Sequence, residues 1–215
     1  MYLPSRFEAR DRALALQLMR EHPFALLATV DDEGLPFISH LPMVVQEGEG
    51  DGLSIWCHCA KPNPLWRHLQ ARPRARVVFQ GPHAYMSPSV YPDLARVPTW
   101  IYLAVQCVVE ARVVESPNDK DELLKRLIGQ QEPAYAQQWR DLGEDFQQKL
   151  LAGIVGLELR VSELHCVVKL NQHRPESHAA MFETYRHGSP DERALAAWMR
   201  TLGMAPDVAV DSQGD

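Results

Sequence analysis

The chain is predicted to be mainly β, an antiparallel barrel with helices at its start, middle and end. Three observations predict this class. Runs of strand length that are apolar or alternating recur between residues 24 and 170. Turn signals rich in glycine, proline and acids separate them. Roughly six to eight such strands leave few exposed edges only if the sheet closes or nearly closes.

Asp11 N-caps a helix over residues 12–20 that ends near His22-Pro23. Residues 24–30 form an apolar strand. The turn Asp31-Asp32-Glu33-Gly34 returns the chain as a second strand over 35–45, completing a hairpin. The acidic, glycine-rich turn at 47–52 leads to a third strand over 53–59. A short helix over 63–70 follows, with Asn63 at its cap and Pro64 at its first position. Residues 75–79 form the fourth strand. Residues 101–115 alternate as one strand or two. Ser116-Pro117 opens a helix whose Leu123, Leu124, Leu127 and Ile128 share a face, and 146–151 reads as another. Residues 154–161 and 166–170 are the closing strands. A helix over 176–187 and a second one to Leu202, opened by the capping box Ser189-Pro190-Asp191-Glu192, complete the chain. The last dozen residues have little to bury and are expected to fray. The domain reading is a β domain over 1–175 and a helical extension over 176–215.

Composition narrows the function classes. A hydrophobic share of 46% and a charged share of 23% are those of an ordinary globular protein. No apolar run reaches membrane-spanning length. The start of the chain lacks a basic stretch followed by an apolar one, so a cytoplasmic protein is expected. Cys57, Cys59, Cys107 and Cys166 have neither disulfide-framework nor zinc spacing. Cys57 and Cys59 share one face of a strand, with His58 on the other, so reduced strand cysteines and no metal are expected. The net charge of −6, with arginines interleaved among acids, disfavours a direct grip on DNA.

The most informative stretch runs from Phe79 to Tyr91 and closes with Pro98-Thr99-Trp100-Ile101-Tyr102. It reads as a loop after the fourth strand, combining flat aromatic faces with hydroxyl and imidazole donors. That mixture suits a planar, phosphorylated ligand; equally, its aromatics can plug a barrel end. Further polar clusters cap other strand ends. His58, Lys61 and Asn63 sit where a strand meets a helix start, a phosphate anchor or an ordinary exposed turn. Residues 169–174, Lys-Leu-Asn-Gln-His-Arg, place alternating polar side chains toward one ligand or toward solvent. His40 stands at a strand end before Pro42, equally a barrel-rim histidine. Ser87 and Ser89 lie near His83 without a nucleophile elbow, and no P-loop, HExxH or GxGxxG occurs. Redox chemistry therefore needs a borrowed cofactor, and a flavin matches the stacking faces and donors on offer.

With those clusters in view, the chain resembles the PaiB-type family of FMN-binding negative transcriptional regulators, a split-barrel fold. The resemblance spans roughly residues 1–175 and rests on several motifs in order. They are Met1-Tyr2-Leu3-Pro4 with Phe7, His22-Pro23-Phe24-Ala25, His40-Leu41-Pro42, Asn63-Pro64-Leu65-Trp66, the Phe79-to-Tyr91 run with Pro98 to Tyr102, Ile154-Val155-Gly156, and Lys169 to Pro175. It implies an FMN-binding split barrel with peripheral helices, acting as a homodimer with FMN at the subunit interface. It further implies that His58, Lys61 and Asn63 hold the phosphate, that Trp100 and Tyr102 pack near the flavin or the dimer seam, and that Lys169 and Gln172 reach the site from the closing strand. On an oxidoreductase reading, His83, Tyr85 and Ser87 form the substrate side. The chain departs from the family pattern at Ile101, usually asparagine, and at Asn171 and His173, usually serine and asparagine. Three functions follow as expectations: a flavin-binding regulator, an FMN-dependent oxidoreductase of the flavin reductase or pyridoxamine-phosphate oxidase kind, or a flavin or haem carrier with no chemistry of its own.

Overall fold

The computed structural model describes residues 2–93 and 95–205. Those residues fall into two compact units. One comprises Asp11–Gln80 and Val105–His165; the other comprises the described residues of Met1–Arg10, Gly81–Ala104 and Cys166–Asp215. They are called the sheet unit and the terminal unit.

In the sheet unit, helix α1 (Arg12–Glu21) begins at Asp11, whose carboxylate accepts from the Ala13 amide at 2.9 Å. Its buried side chains, Leu16, Leu18 and Met19, each contribute about 1.5–3 kcal/mol by leaving water. Strands β1 (Phe24–Val30) and β2 (Pro36–Pro42) form the expected hairpin, with Leu26 opposite His40 and Leu27 opposite Ser39. Asp31 fastens the turn by accepting from the Glu33 and Leu35 amides, and Gly34 supplies the positive φ of 84°.

The strand expected over 35–45 is two strands. Pro42 has no amide hydrogen to donate, and the Met43 amide turns to the Pro23 carbonyl at 2.8 Å. The chain then resumes as β3 (Val44–Glu47). Strand β4 (Leu53–Ala60) alternates buried and half-buried residues and leads to α2 (Leu65–Ala71). Asn63 caps α2 by accepting from the Leu65 amide at 3.0 Å, and Pro64 stands one place before the helix rather than at its first position.

Three long strands complete the sheet: β5 (Arg74–Met86), β6 (Thr99–Val114) and β7 (Ile154–Lys169). Each contributes residues to both units. The sheet is antiparallel, in the order β2-β1-β5-β6-β7-β4-β3, and no hydrogen bonds close it. It is the core of a split-barrel fold with flanking helices. Between β6 and β7 lie α3 (Pro117–Gln131), α4 (Ala136–Asp141) and α5 (Glu144–Ala152). The six-residue α4 carries no periodicity that predicts it; its buried Trp139 ties it to α3 by donating to Asp121 at 2.9 Å.

Two expectations about strand ends are corrected. The stretch after Phe79 is not a loop, because β5 continues to Met86. Gly81 and Pro82 are both buried in succession, a one-residue slip in the alternation of the kind a bulge produces, which lets a strand tolerate proline. Beyond the slip, His83 and Tyr85 face out while Ala84 and Met86 face in. The two closing strands are one, because Ser162 to His165 remain extended.

The terminal unit adds α6 (His178–Arg186) and α7 (Pro190–Thr201), which pack together through Met181, Phe182, Tyr185, Leu195, Trp198 and Met199. The capping box forms as expected between Ser189 and Glu192. The helix expected over 176–187 starts with a 3-10 turn, Pro175–Ser177. The expectation of fraying beyond 205 lies outside the described residues. None of the described helices is long and apolar enough to cross a membrane.

Candidate functional site: a cationic, aromatic cavity

The end of β7 and the residues after it, the start of β6 and the segment before α1 enclose a cavity of about 640 Å³ within the terminal unit. The N-terminal segment is held there by the Ala9 amide donating to the Cys166 carbonyl at 3.0 Å, beside a bridge between Glu8 and Val167. Lys169 is the central cation. Its ammonium donates to Thr99 Oγ1 at 2.8 Å and stands 5.8 Å from the Tyr102 ring centre and 6.0 Å from that of Phe7. Burial, then the nearby Arg6 guanidinium, holds its pKa below the ordinary lysine value. His173 meets Phe7 edge-on at 5.7 Å, and burial, with Arg6 next, lowers its pKa too.

Asn171 fixes the geometry of this corner. It is buried and holds a left-handed backbone, φ 59°, which asparagine tolerates better than most residues. Its amide nitrogen donates to Tyr91 Oη and to Ser177 Oγ, each at 2.8 Å. Lys169, Asn171 and His173 line the cavity at alternate positions, as the run of polar residues there suggested. Gln172 between them does not line it. Its amide closes the turn instead, donating to the Val168 carbonyl at 2.6 Å and accepting from the Leu170 amide at 3.0 Å. Ile101 is fully buried in the cavity floor.

The remaining expected residues of the terminal unit stand at the surface. Trp100 is 57% exposed and Tyr85 is 51% exposed, with ring centres 6.4 Å apart; His83 lies 6.2 Å from Trp100. His83 also approaches Asp191, Nδ1 to carboxylate 3.8 Å. The Ser87 hydroxyl is engaged by the Ser89 amide at 3.2 Å and the Ser89 hydroxyl at 2.9 Å.

His58, Lys61 and Asn63 lie together at the β4–α2 junction of the sheet unit. His58 pairs with Gly156 on β7, where a Cβ would stand 3.2 Å from Val114, a tight contact that glycine avoids. Burial pushes the His58 pKa down, and its Nδ1 is buried without a hydrogen-bond partner. Lys61 is exposed, and Asn63 donates to Ser39 Oγ at 3.2 Å. Among the described residues no cluster of His, Cys, Asp or Glu could hold a metal ion. All four cysteines are buried.

Sequence reasoning did not single out Arg6 or Arg96 as lining residues, whereas Tyr91 and Thr99 belong to the aromatic and hydroxyl-bearing stretch it marked. The one available signal was the clustering of Tyr2, Pro4 and Phe7 before the first helix, which has no periodicity of its own.

Residues 1–163 match the family model described as "Putative FMN-binding domain". The protease synthase and sporulation protein PAI 2 of Bacillus subtilis is 33% identical over 182 residues, covering 82% of this chain and 84% of that one. An uncharacterised protein of Saccharomyces cerevisiae, YKL070W, is 26% identical over 148 residues, covering 59% of this chain and 86% of its own length. Among solved structures, the flavocytochrome Anf3 of Azotobacter vinelandii matches with a TM-score of 0.60 at 14% identity, over 76% of this chain and 69% of that one. The FAD and heme binding protein of Mycobacterium smegmatis matches with a TM-score of 0.59 at 18% identity, over 75% and 73%. At such identities these structures share the fold.

Proposed function

The chain belongs to the PaiB-type family of FMN-binding proteins, and from that premise we propose that it binds FMN as a homodimer with the flavin at the subunit interface. The observation that carries the reading is the chemistry of the donor set. A net negative protein concentrates cations and aromatic rings in one cavity, with Lys169 hydrogen-bonded and poised over two rings. A flat cofactor with an anionic tail is what such surfaces recognise. The residues fit the group. At the β4–α2 junction His58 keeps a buried nitrogen without a partner beside the exposed Lys61.

His58, Lys61 and Asn63 hold the phosphate on this reading. As separate parts of this reading, Trp100 and Tyr102 pack near the flavin or the dimer seam, and Lys169 and Gln172 reach the flavin from the closing strand. Bound FMN supplies hydride or electron transfer that no side chain of this protein can perform. The acidic net charge argues that any regulatory role works without a direct grip on DNA. A second reading, an FMN-dependent oxidoreductase, is favoured by the exposed ring cluster of His83, Tyr85 and Trp100, with His83, Tyr85 and Ser87 on the substrate side.

The test is a fluorescence titration with FMN and with riboflavin, which lacks the phosphate. A charge-assisted hydrogen bond is worth about 1.5–3 kcal/mol, so FMN should bind at least about tenfold more tightly than riboflavin. Lys61→Met should remove most of that difference. Equal binding of the two flavins, or none, overturns the proposal. Bleaching of the bound flavin by NAD(P)H would favour the oxidoreductase reading.

A further inference from the structure

In the sheet unit, α3 buries a lysine on its inner face. Lys120 is 9% exposed, and its ammonium donates to the Leu151 carbonyl at 3.2 Å, its one acceptor among the described residues. A lysine ammonium has three hydrogens to donate, and a buried cation is ordinarily paired with an anion. Lys120 has no described carboxylate within ion-pair distance; Glu115 favours its charge only from farther away. The surrounding elements place it beside the β4–α2 junction. Leu123, one turn along the same face of α3, lies over Gly156, 3.3 Å from where a Cβ would stand, and Gly156 pairs with His58. At the end of β4, Ala60 pairs with Ile154, and the Lys61 amide donates to the Gly153 carbonyl at 2.9 Å. The last turn of α5 therefore holds Lys120 by its side chain and Lys61 by its backbone. Burial and then the Lys61 charge lower the Lys120 pKa, so two cations share this corner.

We propose that Lys120 is a second cation of the phosphate site, with the flavin's phosphate monoester held between the ammoniums of Lys61 and Lys120. The inference rests on the reading that His58, Lys61 and Asn63 hold that phosphate, and it adds a residue from a separate element, α3. A phosphate monoester carries about 1.5 to 2 negative charges at neutral pH, more than one exposed lysine neutralises. Lys120 keeps donors that Leu151 does not use, and a compact ammonium can meet a phosphate oxygen from any side. The pair thus sets the preference for a phosphorylated flavin over the same ring system without its phosphate.

Isothermal titration of the full chain with FMN and with riboflavin tests the proposal. Lys120→Met should lower the preference for FMN by about fivefold or more, the loss falling on FMN rather than on riboflavin. Lys120→Gln should do the same, because it offers Leu151 an amide donor but no charge. Lys120→Arg, which keeps the charge, should hold the preference within about threefold of the wild type. In Lys61→Met/Lys120→Met the two flavins should bind alike. A measurement on the wild type needs no variant to fold: with carbon-13-labelled lysine, FMN should raise the midpoint of the Lys120 titration and riboflavin should not. A wild type that binds FMN no better than riboflavin overturns the phosphate reading and this inference together. A wild-type preference for FMN that survives in Lys120→Met and Lys120→Gln overturns this inference alone. So does an equal weakening of both flavins, which a purely structural lysine would produce, or a Lys120 titration that FMN leaves unmoved.

Discussion

Asn171 gives the sharpest quantitative test of how the cavity is built. The residue combines two separable contributions: a left-handed backbone with φ 59°, and an amide nitrogen that donates to Tyr91 and Ser177. Asn171→Gly keeps the backbone conformation unstrained and removes only the hydrogen bonds. At about 0.5–1.5 kcal/mol for each bond, the expected cost is roughly 1–3 kcal/mol. Asn171→Ala removes the same bonds and adds the Cβ clash of the left-handed region, about 1–2 kcal/mol. Alanine should therefore be worse than glycine by about 1 kcal/mol, although alanine is ordinarily the more stabilising residue. In a chain of this size 1 kcal/mol moves the melting temperature by about 2–4 °C. Urea denaturation of the wild type and both variants, with a common slope, measures the differences. If alanine equals or exceeds glycine, or both match the wild type, Asn171 does not hold the cavity corner in the way described.

Three other outcomes follow. The folded state binds a proton at His58 less readily than the unfolded chain does. Stability should therefore fall as pH drops from the ordinary value of 6.5 through the lowered one. His58→Gln should shrink the loss in urea midpoint between about pH 7.5 and about pH 5. Burial raises Cys59 to about 11 and Cys107 to about 12, and Cys57 and Cys166 are buried as well. A thiol reagent at neutral pH should thus label none of the four cysteines in the native protein and all four after urea. Ser189→Ala removes a capping box and should cost about 1 kcal/mol, read as faster hydrogen exchange at the first amides of α7.

Local chemistry was legible where neighbours in sequence are neighbours in space. The Asp11 cap, the Asp31–Gly34 turn, the Asn63 cap and the Ser189 capping box all involve partners within four residues. Strand continuity was not legible where sequence signals conflict. Gly81-Pro82 ordinarily ends a strand, yet a slip in alternation carries β5 through it to Met86. Ser162 to His165 look like a turn because they are polar, but an extended backbone needs only one buried face. In the candidate site, the i, i+2 spacing of Lys169, Asn171 and His173 was visible, and all three line the cavity. Gln172 differs because its amide serves the turn it sits in, a use that residue type alone does not reveal. Arg6 reaches Lys169's surroundings only through long-range contact, for which the sequence holds no periodic signal.

Native mass spectrometry of the protein purified with FMN in excess tests the central claim most directly. A dimer carrying two FMN molecules, with the flavin content lowered by Lys61→Met, is the predicted result. A monomer that retains no flavin, or a dimer whose flavin content is indifferent to Lys61, would contradict it.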